Sequence, residues 1–120
     1  MARPRTGRQP VLATHGAVAA PHHAASQAGL RMLQRGGSAA DAAIAANAVL
    51  AVVYPHMAGV GGDLFCLLWD AGARRLEGLN ASGRAASAAT IDWYRERGHA
   101  AIPLRGPLSA VTVPGAIDGW

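Results

Sequence analysis

Lysine is absent from this 120-residue chain, cysteine and phenylalanine each occur once, and aromatic residues make up only 5% of it. Each scarcity removes a class of protein. With Cys66 alone, no intrachain disulfide can form. So few aromatics leave no stacking platform for nucleic-acid bases. All 11 cations are arginine and the formal charge is +4. They are scattered (Arg31, Arg35, Arg74, Arg75, Arg84, Arg95, Arg97, Arg105) behind an N-terminal group of Arg3, Arg5 and Arg8, not gathered on one helix or face. Nucleic acid is therefore not an expected partner. Long hydrophobic runs are also missing. Ala39 to Val53 is apolar but too short to span a bilayer, and it carries Asp41 and Asn47, so no membrane partner is expected. No apolar stretch backs the charged start Met1–Arg8, so no signal peptide is read there and a cytoplasmic location is expected.

What the chain does have is alanine and glycine. It is 51% hydrophobic, but much of that is alanine, which packs closely and buries little area. At about 25 cal/mol per Å² of apolar surface, such a core is thin for a free-standing domain. An incomplete chain is the expectation, with a helix cut short at Trp120.

Residues 1–10 read as a flexible leader. Val11–Thr14 and Gly16–Ala20 read as one or two short strands. Pro21 suits a helix's first turn. From His22 to Arg35, the residues Ala25, Ala28, Gly29, Met32 and Leu33 share one face, and Gly36-Gly37 stops the helix. Ser38 with Asp41 three residues on is close to a capping box. It opens a second helix, Ala39–Val53, apolar nearly all round and so expected to be buried on most sides. Pro55 ends it. Leu64–Trp69 is a compact apolar run, a buried-strand pattern in which Cys66 would be a buried thiol. With Arg75–Leu79 it makes a hairpin about a short glycine-containing turn. Asn80–Arg84 reads as a polar turn, Ile91–Arg97 as a short helix capped by Thr90, Gly98–Pro107 as a loop, and Ser109–Val113 as a strand. Pro114-Gly115 then starts a turn into a last helix.

The glycine loop Gly59-Val60-Gly61-Gly62 precedes a strand, not a helix, which argues against a phosphate cradle, and it lacks the dinucleotide spacing. Its glycines suit close packing, φ > 0 or a pocket wall. No serine or threonine stands in a nucleophile elbow or at a processed N-terminus. His22 and His23 are adjacent, about 100° apart on a helix, and cannot chelate together. His15, His56 and His99 lack spaced ligand partners, so no metal site is expected. Arg84 is the strongest candidate for a functional side chain. It follows a polar turn leaving a strand, where a guanidinium can clamp a carboxylate from a cleft wall.

In this order, the segments resemble the N-terminal part of the γ-glutamyltransferase (γ-glutamyltranspeptidase) family. The resemblance is carried by Gly16–His22, Ala25–Gly29, Leu33–Ala43, Pro55, Gly59–Phe65 and Val113–Gly115, and it covers roughly residues 11–120. It implies an α+β chain, the opening of the four-layer αββα sandwich of N-terminal-nucleophile hydrolases. It also implies a large-subunit fragment of an enzyme that transfers or hydrolyses γ-glutamyl or related acyl groups. The partners so implied are that small-molecule donor, the rest of the large subunit and the small subunit. The nucleophile, a threonine freed by autoprocessing with its own amine as base, would lie beyond Trp120. No metal or organic cofactor is implied.

One departure concerns the site. Typical members have Asp-x-Arg-Glu-x-Ala-Pro after the hairpin, the arginine holding the substrate α-carboxylate. Here the stretch is Asn80-Ala81-Ser82-Gly83-Arg84-Ala85-Ala86. Ser82 falls at the arginine's place and Arg84 two residues later, so both are carried forward as substrate-binding candidates. This version resembles a divergent branch of γ-glutamyltransferase-like and cephalosporin-acylase-like proteins. The readings of another class are an anion-binding module and a truncated product without catalysis.

Overall fold

A computed structural model describes Gly7, residues 10–109 and residues 111–120. Apart from exposed Gly7 and Pro10, the expected leader lies outside the described residues, as does Ala110.

Helix α1 spans His23–Gln34. Its cap is His22, whose backbone is extended and whose Nδ1 accepts a hydrogen bond from the Ala24 N–H at 3.2 Å. The imidazole takes the place usually filled by a short polar side chain, so Pro21 stands before the cap and not in the first turn as expected. The helix ends as the sequence predicts. Gly36 takes φ 84°, the Gly36 N–H reaches the Leu33 carbonyl at 3.0 Å, and the Gly37 N–H reaches the Met32 carbonyl at 2.9 Å. This is a Schellman closure, and it satisfies two carbonyls that the helix leaves open.

Helix α2 spans Ala39–Val53, the predicted range. The capping box is complete: the Ser38 hydroxyl accepts from the Asp41 N–H at 3.2 Å, and Asp41 Oδ2 accepts from the Ser38 N–H at 2.7 Å. The helices meet through Gly29 on α1 and Ala42 on α2, both buried. A methyl group at Gly29 would stand 2.9 Å from the Ala42 carbonyl oxygen and from Val18. The wide burial expected for α2 is not found among the described residues. Only Ala42 and Ala46 are buried, and Val52 is exposed.

Residues 11–20 form no strand. A strand needs a partner edge for its N–H and C=O groups. The only strands among the described residues, β1 (Leu64–Asp70) and β2 (Arg75–Ala81), pair with each other. Their antiparallel register runs from Leu64 opposite Ala81 to Asp70 opposite Arg75. At the turn, Arg74 takes φ 51° and Asp70 Oδ1 accepts from the Ala73 N–H at 3.0 Å. Side chains alternate across the ribbon. Phe65, Leu67 and Trp69 are 70%, 75% and 59% exposed, whereas Leu64, Cys66 and Leu68 are half-buried. The fully buried strand and buried thiol expected from the sequence are thus corrected. Cys66 faces a cleft of about 610 Å³ that separates the hairpin from Ala43, Ile44 and Asn47 of α2.

Helix α3 (Ile91–Glu96) is capped by Thr90, whose hydroxyl accepts from the Trp93 N–H at 3.2 Å. Among the described residues of the expected strand 109–113, the pairing is one bridge, Ala85 opposite Thr112. A short helix α4 (Ala116–Gly119) then leads to Trp120, whose indole N–H donates to Asn47 Oδ1 at 3.0 Å and ties the segment to α2.

The radius of gyration is 19.0 Å, against about 14 Å for a compact domain of this length. Among the described residues the buried apolar ones are Ala25, Ala42, Ala46, Tyr94 and Ala116, four of them alanine. The described residues thus form two local units, a helix pair and a hairpin, with broad apolar faces left open. No helix among them is long and apolar enough to cross a membrane.

Candidate functional site

The base of the hairpin is where distant segments converge. Asp63 stands between the glycine loop and β1, and its Oδ1 accepts two hydrogen bonds. One comes from the Gly83 N–H at 3.3 Å, just after β2, and the other from the Thr112 hydroxyl at 2.7 Å. The Val113 N–H donates to the Arg84 carbonyl at 3.0 Å. Below this, the Gly62 carbonyl accepts from both the Gly115 and Ala116 N–H groups, each at 3.0 Å. Within the post-strand turn, Asn80 Oδ1 accepts from the Ser82 N–H at 2.9 Å, an Asx turn that bends the chain out of β2.

Close approach at this junction is possible only without side chains. A Cβ at Gly83 would overlap the Val113 carbonyl, and one at Gly115 would overlap the carbonyl of Ala81. The glycines singled out by the sequence behave differently. No described atom lies within 4 Å of where a Cβ would stand on Gly59 or Gly61, and neither has positive φ. The loop contributes an acceptor, the Gly62 carbonyl, and the tight contacts belong to glycines further along.

The two predicted site residues sit in this turn. Ser82 is half-buried and Arg84 exposed. Neither side chain hydrogen-bonds to another described residue. The 260 Å³ cleft that follows along the chain is lined by Ala85, Ala86, Trp93, Tyr94, Ile102 and Thr112 among others, and not by Ser82 or Arg84. The junction therefore fixes the main chain beneath Arg84 while its side chain stays exposed.

Other polar groups lie apart from this point. The His22 and His23 rings stack with centroids 4.4 Å apart at 27°, not at helical spacing, because His22 is a cap outside the helix. No three His, Cys, Asp or Glu side chains gather as a metal site requires among the described residues. Thr14 Oγ1 lies 2.8 Å from His15 Nδ1, exposed. No third described group hydrogen-bonds to this pair to orient it, as nucleophile activation requires. Asp41 is held below the usual carboxylate range, first by the Ser38 hydroxyl and then by the Ser38 N–H, but it belongs to the helix cap. Sequence reasoning gives Asp63 no role of its own and reads Thr112 as a strand residue, so the bond between them is not foreseen. The one available signal was a carboxylate placed directly after the glycine loop.

The gamma-glutamyltranspeptidase family model matches residues 25–120. The glutathione hydrolase-like YwrD proenzyme of Bacillus subtilis is 51% identical over 110 residues, 92% of this chain and 21% of that protein. The oxamate amidohydrolase proenzyme of Klebsiella pneumoniae is 49% identical over 109 residues, 91% of this chain and 20% of that protein. The crystal structure of Helicobacter pylori gamma-glutamyltranspeptidase superposes with a TM-score of 0.80 at 32% identity, covering 92% of this chain and 32% of that one. The chain thus spans about a fifth of the length of the curated relatives it matches.

Proposed function

The chain belongs to the gamma-glutamyltranspeptidase family, and we propose that it forms part of the large subunit of an amide hydrolase or acyltransferase. Its fold is the α+β fold of N-terminal-nucleophile hydrolases, of which it holds a part. The nucleophilic threonine and the amine that serves as its base come from residues outside these 120. In this reading residues 11–120 pack against the rest of the large subunit and the small subunit.

One observation carries the reading of the site: the main chain of Gly83 and Arg84 is pinned to Asp63 and Val113, and the Arg84 guanidinium projects from that mount without a partner among the described residues. Such a mount suits a substrate carboxylate, which takes a guanidinium bidentately. Two similar proteins carry names that refer to glutathione and to oxamate. Both compounds join an amide to a carboxylate. The donor class is therefore a γ-glutamyl or related acyl amide bearing a carboxylate, with Arg84 as the clamp and the Ser82 hydroxyl as a second donor.

The test uses the full-length, matured protein with γ-glutamyl-p-nitroanilide and oxamate. Losing a bidentate pair from a desolvated site costs on the order of 2–5 kcal/mol, tens- to thousands-fold in kcat/KM. Arg84→Ala should show that loss with autocleavage intact on a gel. Arg84→Lys should recover only part, because the fork is gone. Wild-type kcat/KM for Arg84→Ala on both donors would remove Arg84 from the site. A wild-type protein that binds these carboxylates and turns over neither amide would favour the anion-binding module.

A further inference from the structure

We infer that Asp63 and Thr112 are positioning residues for the donor carboxylate, acting through the main chain of Arg84. The inference rests on the reading of Arg84 as the carboxylate clamp. No described side chain braces the Arg84 guanidinium, so its placement is inherited from its backbone. That backbone is held by two hydrogen bonds, and both lead to one carboxylate oxygen. The Gly83 N–H donates to Asp63 Oδ1 directly. The Arg84 carbonyl is held by the Val113 N–H, and the preceding residue, Thr112, donates its hydroxyl to the same Oδ1. Asp63 is thus the common acceptor that locks segment 83–84 to segment 112–113, and hydrogen bonds to a carboxylate are stronger than neutral ones. A clamp misplaced by an ångström loses much of its effect on a bound substrate. Asp63 and Thr112 need not touch the donor to govern its binding.

The experiment is a double-mutant cycle on the full-length, matured protein with γ-glutamyl-p-nitroanilide. Asp63→Ala and Thr112→Val should each raise KM about tenfold with kcat nearly unchanged, as for the loss of an interaction made equally in ground and transition states. Thr112→Ser, which keeps the hydroxyl, should recover most of the loss. Because both residues act through Arg84, adding either change to Arg84→Ala should worsen KM little beyond Arg84→Ala alone. Losses that multiply would overturn the inference by giving Asp63 and Thr112 an independent role. An unchanged KM for Thr112→Val beside a raised KM for Arg84→Ala would overturn it while leaving the Arg84 reading intact. An unchanged KM for Arg84→Ala would overturn both. Should Asp63→Ala fail to mature, the Thr112→Val and Arg84→Ala pair runs the same cycle.

Discussion

Gly83 concentrates the junction's demands in one position, so Gly83→Ala is the sharpest perturbation of it. A methyl group there would overlap the carbonyl oxygen of Val113, with the carbonyl carbon and amide nitrogen of the same residue close behind. These are main-chain atoms and cannot rotate aside as a side-chain tip would. One segment of the junction must therefore move. Movement sacrifices the Gly83–Asp63 and Val113–Arg84 hydrogen bonds and the bridge between Ala85 and Thr112. Two hydrogen bonds at about 1 kcal/mol each, one of them to a carboxylate, together with residual overlap, give a loss of about 2–4 kcal/mol. The assay is urea unfolding of the full-length protein followed by tryptophan fluorescence, with Gly59→Ala as the comparison. No described atom lies within 4 Å of where a Cβ would stand on Gly59, so that change should stay within about 0.5 kcal/mol. Equal unfolding midpoints for wild type and Gly83→Ala would refute the claim that close approach at Gly83 holds the junction.

The other expectations concern the helices and the open faces. Gly36→Ala should cost about 1–2 kcal/mol in the same unfolding assay, because an L side chain is strained at φ 84°; no change would mean that the helix ends without that turn. Ser38→Ala should cost about 1 kcal/mol through loss of the cap. Asp41 titrates below the usual carboxylate range when folded, so its contribution is complete above that range and disappears as pH falls through the lowered value. The gap in stability between wild type and Asp41→Asn should therefore shrink on acidification, and a gap independent of pH would count against the Ser38–Asp41 pairing. The 120 residues alone should bind 8-anilinonaphthalene-1-sulfonate and melt without a sharp transition, since Phe65, Leu67 and Trp69 stay exposed on one face of the ribbon. A cooperative melt of a monomer would contradict this.

Local signals were legible and accurate. The Ser38–Asp41 pair and Pro55 bracket α2 at its observed length, and Thr90 caps α3 as read. The glycine pair after α1 closes it as expected. The hairpin was legible from the apolar run Leu64–Trp69 and the segment Arg75–Leu79 about a glycine-containing turn, though the strands run one and two residues further. In the caps and turns among these, the deciding interactions lie within about five residues, where composition and spacing carry the information, and the hairpin's longer pairs follow from its turn. Residues 11–20 and 109–113 have strand composition too, but composition cannot supply a partner edge. The first segment finds none among the described residues, and the second finds a single bridge. Burial failed for a related reason. The apolar pattern of α2 and β1 records what those faces are built to meet, and much of that surface stays open here.

The junction around Asp63 was illegible for a different reason. Its two hydrogen bonds span 20 and 49 positions in the chain, and no periodicity links residues so far apart. The roles of the glycines follow the same logic. A glycine's need to lack a Cβ is set by whatever backbone passes beside it, so the conspicuous cluster at 59–62 is loosely surrounded while isolated Gly83 and Gly115 are pressed against main-chain atoms of Val113 and Ala81. A carboxylate directly after a glycine-rich loop is the residue such a crossing calls for. It can accept from several main-chain donors at once, and the loop beside it leaves room for another strand to come close. The same physics separates Ser82 from Arg84. Ser82 sits inside the Asx turn with its N–H engaged, whereas Arg84 follows it with its carbonyl engaged and its side chain exposed. A shift of two residues between turn and arginine therefore need not move the arginine's main chain off the junction, because the segment that anchors it, 112–113, bonds at Arg84 itself.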